Sequence, residues 1–484
     1  MLAVSGLVLA AMAIAAALLY WLVTGDGIRL ALERQVSAWL GQPVRIATVS
    51  AQLLPRPAIR LGQITVGEPA RLTLASIAVS TDLGALINRR LEHAELVVSD
   101  SRIQMPLPFA RRGGPAADGN GGEAIQLISI RSIALDNVRL VSRGREIVIN
   151  GESALEGTRL TVRRFDAESG GTTLSAEGIV ELAPRVDATM RVTATLLDVD
   201  QLLALAEAFS PQSGTAAGPP PRIAARVSAE RAQAGSLEVR QFATDLQADG
   251  QNVSLSPLTF QLFGGRYQGA IAARLGQTIE ASLRSRIVEL DVARLAAFGG
   301  VPGAITGTLT GAGTFSGRGA NLAAVLRSAR GEGTASVVKG TIERLNLIRT
   351  VVLFFGRPAP DAAPATDAFE RMDLRFTLAD QAFTAQAFAL QSSDADIVGS
   401  GTLSVDSKAI DGQLDLSLSQ ALSAQAGTDL RRYTREGDRI VLPARIGGTL
   451  GQPRLSIDAG AALRRGLGNE VRERLGGVLE RFGK

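Results

Sequence analysis

The stretch "ITGTLTGAGTFSGRGANLAAVLRSARG", Ile305 to Gly331, decides the fold class. From Gly303 to Gly319 the glycines and the apolar side chains occupy odd positions, whereas threonine, alanine and serine fill the even positions from 306 to 316. A period of two is the pattern of a β-strand. Glycines along one face allow a strand to bend or another backbone to approach closely. The stretch therefore predicts a strand that carries mainly glycine on one face. A short helix at Ala320–Arg330 is expected to cap this strand.

The same glycines also suggest a nucleotide-binding loop. Gly311, Gly313 and Gly317 form GxGxxxG, which is close to the dinucleotide fingerprint, and Glu343 follows where a ribose-binding acid could fall. The unbroken alternation argues against a loop. A dinucleotide fold also needs solid Val/Ile strands and a crossover helix, which the sequence does not show. We therefore predict no cofactor.

The alternation of apolar and polar residues continues through much of the chain. It predicts an antiparallel sheet with one apolar face and one solvent-exposed face. Clear examples are the runs Leu237–Val239, Tyr267–Leu275 and Leu414–Leu418. If the apolar face forms a groove, the candidate groove-lining residues are Leu258, Phe260, Leu262, Ile271, Leu414, Leu416 and Leu418.

An internal repeat is visible. "VDATMRVTATLLDVDQLLAL", from Val186, aligns without a gap with "IEASLRSRIVELDVARLAAF", from Ile279. Each copy reads as a strand followed by an Asp-capped short helix. A looser third copy of the hairpin spans Gly401 to Ser419. A repeated sheet unit that cannot bury its own apolar face favours an elongated, stacked architecture.

Composition excludes most catalytic chemistry. Cysteine is absent and His93 is the single histidine, so neither a zinc site nor a catalytic triad can be assembled from these residues. Asp394 and Asp396 fall on a Ser-rich loop or strand edge, where they are interpreted as solvated carboxylates of a turn. The chain has no Walker lysine, HExxH or serine elbow. We predict no catalytic residue, no metal and no enzyme activity. Because the net charge is only +4 and aromatics make up 4%, nucleic acid is not an expected partner either.

The N-terminal run from Leu2 to Val23 contains no charged residue and is long enough to cross a bilayer. Tyr20 and Trp21 close it with amphipathic rings suited to a membrane interface. A cleaved signal peptide is the alternative, but the apolar run continues past Ala15–Ala17, where cleavage would fall. An uncleaved anchor is favoured. The first basic residue, Arg29, follows the run and by charge alone favours a cytoplasmic C-terminal side, whereas the long β-rich part favours export.

Several further segments have sequence patterns that predict helices or linkers. Ile28, Leu32, Val36 and Leu40 give a helical face that ends at Gly41, and a short helix is expected near Thr81. Residues 111–124, 210–222 and 357–367 are rich in Pro, Gly and Ala and read as linkers. The C-terminal "ALRRGLGNEVRERLGGVLERFGK" is a basic amphipathic helix, suited to an anionic membrane surface, a partner or the end of the sheet.

Three segments resemble the AsmA family of Gram-negative envelope proteins. "LERQVSAWLGQPVRIATVSAQLLPRPAIRLGQITVG" is similar to the chorein-like N-terminal unit of that family. "GTLTGAGTFSGRGANLAAVLRSARGEGTASVVKGTIERLNL" and "IVLPARIGGTLGQPRLSID" resemble its C-terminal domain. The organisation expected on this basis is a transmembrane anchor at 1–24, a chorein-like unit at 25–110, a repeated β-region at 111–300, a C-terminal β domain at 301–460 and the amphipathic helix at 461–484.

The resemblance implies a mainly-β protein with an elongated, curved antiparallel groove, anchored once in the inner membrane with its bulk in the periplasm. It implies a role in outer-membrane biogenesis as a conduit that carries phospholipid acyl chains between membranes. The alternative is a non-enzymatic factor that modulates outer-membrane protein assembly or membrane protein localisation, with outer-membrane or periplasmic assembly proteins as partners. A conduit needs an apolar trough and no catalytic residue.

Overall fold

The computed structural model describes residues 29–30, 33–34, 37, 42–52, 58–68, 70, 72–80, 90–91, 93–105, 126–127, 129–209, 219–342, 368–425, 435–436, 438–458, 460–461 and 464. Strands make up 72% of these residues and helices 11%, which confirms the prediction of a mainly-β protein. The chain divides into two compact units, Met1–Gly250 and Gln251–Lys484. The finer segments expected from the sequence stay predictions.

The first unit is built on one sheet with a small two-stranded ribbon beside it. The strands are β1 Val44–Gln52, β2 Ala58–Val66, β3 Leu72–Ser80, β4 Arg90–Leu91, β5 Ala94–Ser99, β6 Arg102–Met105, β7 Gln126–Leu127, β8 Ser129–Ser142, β9 Arg145–Glu156, β10 Arg159–Ser169, β11 Thr172–Glu181, β12 Asp187–Asp198, β13 Arg222–Ala234 and β14 Leu237–Asp249, with helix α1 at Val199–Phe209. The sheet runs in the order β1, β2, β3, then β5 and β6 together, then β8 to β14, and the ribbon pairs β4 with β7. Pairing is antiparallel except at β5–β8, β6–β8, β12–β13 and β4–β7.

Side chains of the N-terminal helical residues bond to the backbone of β1. Residues 29, 30, 33, 34 and 37 are helical. Glu33 Oε1 accepts from the backbone N–H of Ile46 at 2.7 Å, and Ser37 Oγ accepts from that of Val44 at 2.9 Å. Because unpaired strand edges invite association with other chains, these bonds protect the edge of the sheet.

The second unit contains an antiparallel sheet. Its strands are β15 Asn252–Leu262, β16 Gly265–Arg274, β17 Ile279–Asp291, β18 Thr308–Gly319, β19 Arg330–Thr341, β20 Ala368–Ala379, β21 Ala382–Gln391, β22 Ala395–Ser404, β23 Ile410–Leu418, β24 Arg435–Glu436, β25 Arg439–Thr449 and β26 Gln452–Ile457. Strands β15 to β23 follow chain order in the sheet, and β25 and β26 continue it. The helices of this unit are α2 Val292–Phe298, α3 Leu322–Arg327 and α4 Gln420–Gln425.

The main core of the second unit lies on the apolar face of its last strands. Leu416 and Leu418 of β23, Leu442 of β25 and Leu422 of α4 belong to one buried cluster. Leu418 is 0% exposed because α4 and the neighbouring strands cover it.

The glycine-rich stretch forms strand β18, as predicted from its alternation. Its glycines leave room for other groups to lie on the sheet. A Cβ at Gly313 would stand 2.8 Å from the ring of Phe315, and one at Gly319 would stand 2.5 Å from the Cβ of Ala324 in α3. The helix that follows the strand packs on its terminal glycines, which confirms the predicted close approach; it spans Leu322–Arg327, inside the predicted range.

The repeat has the predicted local structure. Strand β12 leads into α1, where Asp198 Oδ1 accepts from the backbone N–H of Gln201 at 2.9 Å. Strand β17 leads into α2, where Asp291 Oδ1 accepts from that of Ala293 at 2.9 Å. The predicted third hairpin is β22–β23, followed by α4 with Ser419 bonded to the N–H of Leu422.

No helix among the described residues is long and apolar enough to cross a membrane. The expected anchor at 1–24, the helix near Thr81 and residues 465–484 of the C-terminal helix lie outside the described residues, as do most of the three linkers.

Candidate functional site

An apolar cavity of ≈ 680 Å³ lies within the second unit. One wall is the apolar face of β20–β23 and β25, and the other is α2 with the segment that follows it. Among the described residues that line it, Ser400 and Thr402 are the only polar ones and none is charged. The lining residues are Val292, Leu295, Ala296, Gly299, Val301, Ala304, Ile305, Ile342, Met372, Leu374, Phe376, Phe383, Ala385, Phe388, Ser400, Gly401, Thr402, Leu403, Ile410, Leu414, Ile446, Leu450, Gly451 and Pro453.

The hollow in the sheet wall follows from strand register. Ala385 lies opposite Gly401, which in turn lies opposite Gly412, so one row across the strands carries almost no side chain. Since side chains two residues apart share a face, larger residues flank this row on both sides. On one side are Phe383, Leu403 and Ile410, and on the other are Phe388 and Leu414. Small residues between two rows of large ones leave an apolar trough.

Hydrogen bonds at the C-terminal end of α2 position the other wall of the cavity. The N–H of Gly300 bonds to the carbonyl of Ala297, and the N–H of Val301 bonds to that of Ala296. This pair of bonds is a Schellman motif, with Gly300 at φ +79° in the left-handed position. Ile305 then forms a β-bridge with Ile342, so the segment returns to the sheet and closes one side of the cavity.

A lysine lies at the rim of the cavity. Lys408 Nζ donates to the carbonyl oxygen of Gly299 at 2.8 Å, and the N–H of Leu450 donates to the carbonyl oxygen of Lys408 at 2.9 Å. Both Gly299 and Leu450 line the cavity. The side chain of Lys408 is exposed, and no ion pair joins it to a carboxylate of the described residues.

Of the groove-lining candidates predicted from sequence, the structure places Leu414 in the cavity wall. Leu416 and Leu418 belong to the buried core beside it. The other four lie on β15 and β16, away from the cavity lining: Leu258, Phe260, Leu262 and Ile271.

One of these four candidates, Phe260, packs against an aromatic side chain of the neighbouring strand. The ring of Phe260 stacks on Tyr267 with centroids 4.3 Å apart. Burial raises the pKa of the Tyr267 hydroxyl, and a hydrogen bond with Ser285 partly offsets that rise. The pair fills space on the apolar face of the sheet.

Most residues of the cavity wall were not among the candidates predicted from the sequence. Leu374, Phe376, Phe383 and Phe388 all contribute to it. Alternation at Met372, Leu374 and Phe376 could have revealed the β20 face. No local signal predicts that α2 closes over it.

The opposite face of β17–β20 is polar. It has two shallow depressions of ≈ 700 and ≈ 940 Å³, bordered by Arg286 and Arg375. Beside them Arg371 Nε donates to Asp373 Oδ2 at 2.6 Å, and this bond is the main reason that the pKa of Asp373 lies below its ordinary value. The two faces of the sheet therefore differ sharply in polarity.

The described residues contain no group of three or more His, Cys, Asp or Glu that could hold a metal ion. His93 is exposed. Of the two carboxylates assigned to a loop or strand edge, Asp394 precedes β22 and Asp396 is the second residue of that strand, where it accepts from Arg439 Nη1 at 2.7 Å. Arg439 also donates to the carbonyl of Leu418, so Asp396 belongs to an ion pair that ties neighbouring strands together.

No family model matches this chain, and neither a curated protein nor a solved structure matches it.

Proposed function

We propose that the protein binds phospholipid acyl chains in the apolar cavity of its second unit and moves them between membranes. The observation that carries the proposal is a cavity of ≈ 680 Å³ whose described lining residues are all uncharged. Pockets for small ligands typically measure ~300–1,000 Å³ and are mostly apolar. Burial of each methylene group contributes about 0.8 kcal/mol, so an acyl chain gains affinity there without a specific polar contact.

The wider role rests on three further supports. The apolar face extends across neighbouring strands of the second unit, through Leu374, Phe388 and Leu414. The apolar run at Leu2–Val23 suits a single inner-membrane anchor. The resemblance to the AsmA family adds a periplasmic location and a role in outer-membrane biogenesis. We therefore propose an anchored, non-enzymatic lipid conduit of that kind.

The test is mass spectrometry of lipids extracted from the purified full-length protein, compared with two charge variants. Leu414→Asp places a carboxylate in the cavity wall, whereas Val398→Asp places one on the opposite face of the adjacent strand, where Val398 is 50% exposed. We expect phospholipid with the wild type and with Val398→Asp, and a loss of it with a folded Leu414→Asp. Circular dichroism checks that both variants fold. Wild-type protein without any lipid would reject the conduit and favour the assembly-factor hypothesis.

A further inference from the structure

We infer that the cavity selects amphiphiles with an anionic head group, which Lys408 holds at the rim while the chain enters the cavity. This inference rests on the proposed function, because it assigns the head-group chemistry of the ligand whose chain the cavity takes. The head-group chemistry is a phosphate or a carboxylate.

The position of Lys408 is fixed by both its backbone and its side chain. Its carbonyl accepts from the N–H of Leu450, and its ammonium donates to the carbonyl of Gly299. Both partners belong to the cavity lining: Gly299 ends α2, and Leu450 lies in the turn between β25 and β26. The ammonium therefore lies at the boundary between the apolar interior and solvent.

The charge of Lys408 is not neutralised by the described residues. An ammonium has three N–H donors, and the bond to Gly299 uses one of them. The carbonyl of Gly299 is uncharged, and none of the described residues of the cavity lining is a carboxylate. The exposed ammonium thus keeps both its charge and its remaining donors for a ligand.

An anionic amphiphile matches this arrangement at both ends. Its chain replaces water in the cavity, and its head group accepts charge-assisted hydrogen bonds from the ammonium. Lysine binds phosphate as a compact point charge and needs no fixed bidentate geometry. An exposed ion pair of this kind predicts binding about two- to fivefold tighter than that of a neutral amphiphile with the same chain.

Lys339 provides a matched control. It is also exposed, lies on β19 and has φ +53°, against +54° for Lys408. Its side chain makes no hydrogen bond to a cavity-lining residue in the described part of the chain, whereas Lys408 bonds to Gly299. Lys339→Gln and Lys408→Gln therefore remove the same charge at comparable backbone positions.

The experiment measures displacement of the neutral fluorophore N-phenyl-1-naphthylamine from the full-length protein at constant ionic strength. The competitors share an oleoyl chain and differ in the head: lysophosphatidate, oleate and monooleoylglycerol. For the wild type and Lys339→Gln we expect the anionic competitors to bind about two- to fivefold tighter than monooleoylglycerol. For Lys408→Gln we expect that preference to vanish while affinity for monooleoylglycerol is retained. Preference for lysophosphatidate alone identifies a lipid phosphate, and preference for both anions identifies a general anionic head.

Three results would overturn the inference. One is equal binding of all competitors to the wild type, which leaves the proposed function standing. Another is an equal loss of preference in both lysine variants, which assigns the effect to overall charge. The third is a loss of monooleoylglycerol binding in Lys408→Gln. That result would mean that Lys408 holds the end of α2 in place and does not select the head group. If no competitor binds the wild type, the proposed function fails together with the inference.

Discussion

The ring of Phe376 lies directly over the backbone of Gly333 on the adjacent strand. A Cβ on Gly333 would stand 2.6 Å from Phe376 Cζ and 2.8 Å from the carbonyl oxygen of Ala312. Phe315 lies in the same way over Gly331, with its Cδ1 2.5 Å from the position of a Cβ. The glycine stripe of β18 and β19 therefore has a packing role, because neighbouring rings fill the volume that its side chains would take.

The first prediction concerns that close approach. Gly333→Ala forces the Phe376 ring or the backbone of Ala312 to shift, and overpacking of this kind typically costs about 1–3 kcal/mol. Gly447→Ala in β25 is the control, since its nearest neighbour would be 3.9 Å away. Urea denaturation of the two variants should give a lower midpoint for Gly333→Ala only. Equal midpoints would remove the packing role of the glycine.

Alternation predicted the strands well because it is a local property. The odd and even positions of β18 and the Asp caps of α1 and α2 could all be assigned from sequence. The ring that covers Gly333 could not, because Phe376 belongs to another strand and only register brings the two together.

The candidate site shows the same limit of prediction from local sequence patterns. Leu414 and Leu416 share one face of β23, so alternation treats them alike. In the structure Leu414 lines the cavity, whereas Leu416 is 1% exposed and packs in the core. What separates them is the tertiary placement of α2 and α4, which no local pattern predicts.

The second prediction tests that separation. Leu416→Ala leaves a hole in a close-packed core, which typically costs about 2–5 kcal/mol. Leu414→Ala only enlarges an existing cavity, so we expect a smaller loss. The free energies of unfolding, taken from urea denaturation of both variants, check the difference. A loss at Leu414 as large as that at Leu416 would contradict the cavity.

The third prediction concerns the end of α2. Gly300 has φ +79°, so Gly300→Ala should destabilise the protein by about 1 kcal/mol. Gly299→Ala is the neighbouring control, because Gly299 has φ −71° and its Cβ would meet no atom closer than 3.5 Å. Thermal denaturation should show a lower Tm for Gly300→Ala than for Gly299→Ala. The reverse order would reject the Schellman motif.

The fourth prediction concerns the start of α2. Asp291 Oδ1 accepts from the backbone N–H groups of Ala293 and Arg294. Asp291→Ala leaves these donors without their acceptor and should cost about 1 kcal/mol, whereas Asp291→Asn keeps a side-chain oxygen there and should cost less. Chemical denaturation of the two variants measures this order. Equal losses would show that the cap bonds contribute nothing.

The last prediction concerns stability in acid. The pKa of Asp458 is lowered mainly by a hydrogen bond from the backbone N–H of Ala461 at 2.9 Å, and further by Arg445, whose Nε donates to Asp458 at 3.1 Å. Because the folded pKa lies below the unfolded value of about 3.9, this carboxylate stabilises the fold fully above that value. Its contribution is lost as pH falls through the folded pKa.

Asp458→Asn keeps an acceptor for the N–H of Ala461 but cannot be protonated in this range. We therefore expect the urea midpoint of the wild type to fall more steeply than that of Asp458→Asn between about pH 5 and pH 2. Arg445→Gln should give an intermediate slope, since it removes the weaker of the two causes. Parallel curves for the wild type and Asp458→Asn would show that this carboxylate does not couple folding to pH.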